Sequence, residues 1–237
     1  MKKLIALIIL FILTGCSVNP VTGQKDFVMM SENQEISLGK KYHAQVLQQT
    51  PAYKDQDLQN YVQKVGDSLS IKSHRPNLFY RFTVLDSPDV NAFALPGGYI
   101  YINRGLMAYL SSEEELAAVL GHEIGHVTAR HSVRQYSQSQ LLSILSAAVQ
   151  MNSGRTAGDI VGVASGALLA GYGREMELEA DELGAEYLYQ DGYSTEGMMK
   201  VLSVLKDQEI YSKELAKERG QEPINYHGIF ASHPSND

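Results

Sequence analysis

Apolar positions fall into distinct patterns along the chain, and each predicts a different element. An unbroken apolar run from Leu4 to Leu13 follows Lys2 and Lys3. It is far shorter than the roughly 20 residues a helix needs to cross a bilayer, and it has the layout of a secretory leader. Residues 17–30 mix Pro20, Gly23 and polar groups without periodicity, as a tether does. From Ser31 the pattern turns helical, with Glu32 and Glu35 in the first turn, where negative charge suits the helix dipole. Helices are predicted near 31–49 and 56–70. Leu78–Leu85 is rich in aromatic and β-branched residues, and Tyr99–Ile102 repeats that character after a Pro96-Gly97-Gly98 turn, so both read as strands. A further helix opens at Ser111 and Ser112, where Ser112 and Glu115 match a capping box, and it continues through Leu116, Val119 and Leu120. Between Gln135 and Gly173 an Ala- and Gly-rich apolar stretch is interrupted by Gln138, Gln140, Asn152, Arg155 and Asp159. That predicts a helical hairpin over a cleft rather than a membrane span. The expected fold is α+β and mostly helical, a small sheet packed on a larger set of helices.

Composition narrows the setting. The 237 residues carry a formal charge of -7, and loss of the leader with Lys2 and Lys3 makes it more negative, which argues against a nucleic-acid partner. The single cysteine, Cys16, excludes a disulfide within the chain. Cys16 closes the sequence Leu13-Thr14-Gly15-Cys16, which resembles the lipobox of bacterial lipoproteins. The resemblance implies cleavage before Cys16 and a lipid on its thiol, with the membrane as partner through that lipid. Ser17 rather than Asp after the cysteine points, by the same resemblance, to the outer membrane and a periplasm-facing protein of the bacterial envelope. The expected organisation is a lipoprotein signal over 1–15, a lipidated tether over 16–30 and one catalytic domain over 31–237.

The chemistry begins at His122-Glu123-Ile124-Gly125-His126. Residues four apart lie one turn along the same helix face, about 6 Å apart along the axis, so both imidazoles can converge on one ion. Glu123 is offset by one position and projects beside that ion, where a base can reach water without displacing it. This is the zincin pattern of two zinc-binding histidines and a glutamate base. A catalytic zinc has three protein ligands and an open fourth position, so a third ligand is required elsewhere. A metzincin would need glycine at 129 and histidine at 132; the chain has Ala129 and Ser132. Extending the helix carries His131 away from the pair, as a surface or capping group. The acidic run Glu175 to Glu182 offers a third ligand, and a Glu-x-x-x-Asp pair lets the first carboxylate bind zinc while the second orients a ligand imidazole. Glu177 with Asp181 and Glu175 with Glu179 share the four-residue spacing, and geometry alone does not choose between them.

Four blocks together carry a resemblance: Asn91 to Gly98, His122 to His126 with Arg130-His131 beyond, Glu177 to Asp181, and Ser232-His233-Pro234. In order and spacing they resemble the gluzincin peptidase family of HtpX and the CAAX prenyl protease, nearest to its periplasmic and lipoprotein-type members. The resemblance implies a zincin-like fold with an edge strand beside the cleft. It implies one Zn2+ per chain on His122, His126 and Glu177, with Asp181 behind a ligand. It makes Asn91, Ala92, Phe93 and Ala94 the strand to which an extended substrate adds. His233 matches a histidine that stabilises the oxyanion or gates the site in similar proteins. No tetratricopeptide array accompanies the likeness, and similar proteins continue beyond Pro234. The implied activity is endopeptidase cleavage of unfolded or misfolded envelope polypeptides, with Glu123 taking the proton of the attacking water. A chaperone-like factor for outer-membrane proteins with limited proteolysis is the rival reading, and an aminopeptidase is a third.

Overall fold

The computed structural model describes residues 16–153 and 172–220. Polar residues set the first helix starts. Ser31 precedes α1 (Glu32–Gln49): its hydroxyl accepts from the Gln34 N–H at 3.3 Å, and the Gln34 side chain accepts from the Ser31 N–H at 2.9 Å. Two N–H groups the helix cannot use internally are thereby satisfied. Asp55 accepts from the Leu58 N–H at 2.9 Å at the start of α2 (Gln56–Ser70). The helical repeat of α2 places Val62, Val65 and Leu69 on one buried face.

That face meets a three-stranded sheet of β3 (Arg81–Leu85), β4 (Ala92–Leu95) and β5 (Tyr99–Asn103). The spatial order is β3-β5-β4, with β5 parallel to β3 and antiparallel to β4. The strand expected from Leu78 starts at Arg81, because Leu78 is held in a turn by its N–H bond to Arg75 O at 3.1 Å. Alternation along the strands sorts the side chains. Phe82, Val84, Ile100, Ile102, Ala92 and Ala94 join the core with α2. On the opposite face Tyr99 and Tyr101 stack with His43 of α1, and Tyr101 lies 2.6 Å from His43 Nδ1 through its hydroxyl. α1 also presses on the β4–β5 turn so closely that a Cβ at Gly39 would fall 1.8 Å from Pro96 O.

After the sheet come α3 (Arg104–Met107), α4 (Glu113–Thr128), α5 (His131–Ser153), α6 (Arg174–Asp191) and α7 (Glu196–Glu218). α4 is the central helix, buried from Glu115 to Thr128 except at His122. Residues 154–171, in the stretch expected to form a helical hairpin, lie outside the described residues. Among the described residues no helix is long and apolar enough to cross a membrane.

The segment expected to be a tether holds a hairpin of β1 (Cys16–Val18) and β2 (Lys25–Phe27), paired Cys16 to Phe27. Its turn is built on buried Asn19, whose Oδ1 accepts from the N–H groups of Val21 and Thr22 at 2.8 and 3.2 Å. Strands of three residues are too short to show alternation. The hairpin is fixed to the body by a buried ion cluster. Glu35 accepts from Arg75 Nη1 at 2.7 Å and from Arg130 Nε at 2.8 Å. Arg130 also donates to Ser17 Oγ and to Met30 O, each at 3.1 Å.

Candidate metal centre

The start of α4 is fixed at Ser112, whose hydroxyl accepts from the Glu115 N–H at 3.3 Å. The return half of the expected box is displaced by one residue: the Glu115 carboxylate accepts from the Ser111 N–H at 2.7 Å. Two turns on, α4 meets α6 with almost no side chain between them. A Cβ at Gly125 would lie 2.8 Å from Ala180 O, and one at Gly184 would lie 2.9 Å from the His122 nitrogen. Backbones this close place the side chains flanking the crossing against each other, namely His122 and His126 from α4 and Glu177 and Asp181 from α6.

His122 Nε2 and His126 Nε2 are 3.0 Å apart, and each is 3.6 Å from a different oxygen of Glu177. One candidate ligand atom from each of the three residues can be chosen so that all lie within 4.8 Å of one another. Tetrahedral zinc, with bonds of about 2.0–2.2 Å to nitrogen and oxygen, separates its ligand atoms by roughly 3.3 Å. The donor set is therefore of the right kind and spread for that ion. Glu177 is 3% exposed and Glu123 0%, so the carboxylates are withdrawn from bulk water. His122 Nδ1 lies 2.8 Å from Asp181 Oδ1, an arrangement that places a hydrogen on Nδ1 and turns Nε2 toward His126 and Glu177, where its lone pair could serve an ion. Burial disfavours a charge on His122, but the hydrogen bonds to Asp181 and Glu177 and the field of Glu123 outweigh it and raise its pKa to about 10. The surroundings favour a cation at this position, as a metal site must.

Of the two acidic pairs, Glu177 and Asp181 face the histidines. Glu175 is exposed, and Glu179 turns elsewhere. The expectation that His131 points to the surface is corrected. α4 ends at Thr128, Arg130 adopts φ 56°, and a new helix begins at His131. The change of direction returns His131 to the interior, 0% exposed, with Nδ1 at 2.8 Å from His126 Nδ1 and Nε2 at 3.0 Å from Glu179 Oε2. Burial lowers the pKa of His131 despite Glu179, while the His131 contact, with Arg134 assisting against burial, draws Glu179 down to about 2. Tyr172 was not singled out by the sequence. Its ring stacks on His126 with centroids 4.1 Å apart, and its hydroxyl lies 2.6 Å from Ser132 Oγ. Burial raises the Tyr172 pKa, and Glu123 and Glu177 add to the rise.

Of the other sequence candidates, Ala92, Phe93 and Ala94 lie on β4, Asn91 immediately precedes it, and β4 is at one edge of the sheet and packs against α4. The Asn91 carbonyl accepts from the Asn103 N–H at 2.9 Å. Cys16 opens β1. His233 lies outside the described residues.

Residues 54–237 match the sequence pattern of peptidase family M48. The chain is 29% identical over 204 residues to a Yersinia pestis protein named beta-barrel assembly-enhancing protease, covering 81% of this chain and 42% of that one. It is 30% identical over 195 residues to the protein of the same name from Escherichia coli K12, covering 77% and 40%. Over 140 residues it is 33% identical to mitochondrial metalloendopeptidase OMA1 of Arabidopsis thaliana, covering 59% and 28%. The chain thus spans about two fifths of the length of the assembly-enhancing proteases it matches.

Proposed function

The chain belongs to peptidase family M48, and on that premise we propose that it is a zinc-dependent endopeptidase acting on unfolded or misfolded polypeptides of a bacterial envelope. The observation that carries the reading is the meeting of His122 Nε2, His126 Nε2 and Glu177 at ion-sized separations beside the buried Glu123. Zinc, when bound, supplies a Lewis acid that polarises a carbonyl and makes water acidic near neutral pH. His122, His126 and Glu177 hold it, and Asp181 keeps His122 in the tautomer and plane that holding requires. Glu123 takes the proton of the attacking water and returns it to the departing amine. Withdrawal from solvent strengthens each electrostatic contact the site makes with the reacting groups.

An extended substrate adds to β4 at Asn91 to Ala94. The strand's place at the sheet edge and its packing against α4 support this, since an edge leaves main-chain N–H and C=O groups for a further strand. His233 supplies a second donor to the oxyanion or gates the site. Cys16 carries a lipid that holds the protein to the outer membrane, facing the periplasm.

The Glu123→Gln variant tests the mechanism. It is expected to fold and bind zinc like the wild type while cleavage of casein falls by about 10²–10⁴-fold, the usual contribution of a positioned acid–base group. Full activity in that variant removes Glu123 from the mechanism. The name of the two assembly-enhancing relatives favours one further reading, a chaperone-like role in outer-membrane-protein assembly with limited proteolysis. Rescue of a deletion strain by the same inactive variant would favour that role over cleavage.

A further inference from the structure

The two imidazoles that face Glu177 are backed differently. His122 Nδ1 meets a carboxylate oxygen of Asp181, whereas His126 Nδ1 meets another imidazole nitrogen, Nδ1 of His131, at 2.8 Å. Two ring nitrogens at that distance need one donor and one acceptor. The remainder of the site assigns the roles. His126 turns Nε2 toward His122 Nε2 and Glu177 Oε1, so the nitrogen that offers a lone pair to an ion is Nε2 and the hydrogen resides on Nδ1. His131 then accepts at Nδ1 and carries its own hydrogen on Nε2. That nitrogen lies 3.0 Å from Glu179 Oε2, an acceptor. Arg134 Nη1 donates to the same oxygen at 2.8 Å. Each link has one donor and one acceptor, and with His126 Nε2 given to the ion the hydrogens of both rings are assigned. His131 is 0% exposed, so bulk water does not replace it behind His126.

We propose that His131 is a positioning residue for the metal centre. It accepts the Nδ1–H of His126 and so fixes the tautomer and ring plane that leave Nε2 to the ion, and Glu179 with Arg134 fixes His131 in turn. The inference rests on the zinc-peptidase reading and deepens it by making the ligands unequal. A carboxylate strengthens His122 as a donor directly, whereas a neutral ring transmits the influence of Glu179 to His126 at one remove. A histidine that merely fills the core would be required only for its volume.

The test uses the full chain, stripped of metal and titrated with zinc against a coloured chelator, with the cobalt(II) absorption spectrum as a second readout. His131→Phe keeps a ring and removes the acceptor; His131→Asn keeps an acceptor oxygen close to where Nδ1 sits. His131→Phe is expected to bind zinc ~10–100-fold more weakly, the usual effect of losing a group behind a metal ligand, and to alter the cobalt spectrum. His131→Asn is expected to restore most of the affinity and the wild-type spectrum. Glu179→Ala, run in parallel, keeps the test decisive if His131→Phe does not fold, and it is expected to weaken zinc by at least several-fold. Wild-type affinity in His131→Phe, equal loss in the Phe and Asn variants, or wild-type affinity in Glu179→Ala overturns the proposal while leaving the metal centre standing. Failure of the wild-type chain to bind zinc overturns the metal centre itself.

Discussion

Arg130 holds φ at 56°, the one non-glycine residue with positive φ among the described residues. Such a conformation costs about 1–3 kcal/mol and persists where the surroundings over-determine it. Here they do, because the guanidinium binds Glu35, Ser17 and Met30 together. The kink this residue makes is what brings His131 behind His126. Extrapolating helix geometry through positions 129–131 therefore misplaced His131, since nothing in an Ala-Arg-His sequence marks a left-handed residue. Tyr172 was illegible for a related reason: its contact with His126 is tertiary, across 46 positions of chain. Glu35 sits between Arg75 and Arg130, with side chains 1%, 6% and 7% exposed. Removing one member of a buried ion group leaves uncompensated charge, typically a loss of ~3–5 kcal/mol. Glu35→Leu is accordingly expected to lower the urea unfolding free energy by that amount; a change under ~1 kcal/mol would show the cluster to be dispensable.

At the level of elements, the site exists because α4 and α6 cross at backbone contact. Gly125→Ala would place a Cβ 2.8 Å from Ala180 O, and main chain has little room to yield. Overpacking of this kind costs about 1–3 kcal/mol. Because the crossing also sets the spacing of Glu177 from the imidazoles, zinc affinity is expected to fall along with stability. A loss of stability with zinc titration unchanged would mean that the crossing does not control the ligands. Much at this scale was readable in advance. The helices expected near 31–49 and 56–70 are α1 and α2, the first marked by Ser31 and its acidic first turn, and the His-Glu-x-x-His turn is marked by its spacing. A signal in α6 also separates the two acidic pairs. Glu177, Ala180, Asp181 and Gly184 follow the i, i+3, i+4, i+7 spacing of one helix face, and the two small residues on it mark where another helix can come close. Spacing between carboxylates carried no such information.

For the whole molecule, the stretch 16–30 packs on the body. β1 and β2 pair, Val28 is buried, the Met29 N–H donates to Ser137 Oγ at 2.9 Å, and Arg134 reaches Asp26 at 3.6 Å. Its three-residue strands and lack of periodicity hid this from the sequence. Replacing Cys16 with Ser is expected to move the protein from the membrane to the soluble fraction on cell fractionation. Retention in the membrane would exclude the lipid as anchor. The bond from Arg130 to Ser17 bears on reach. A long slack leash would let an enzyme sweep a wide volume above its bilayer. If Cys16 carries the proposed lipid, the anchor sits on the first residue of a docked strand and leaves no slack, so the catalytic unit would work within a protein's diameter of the surface, on chains that arrive there.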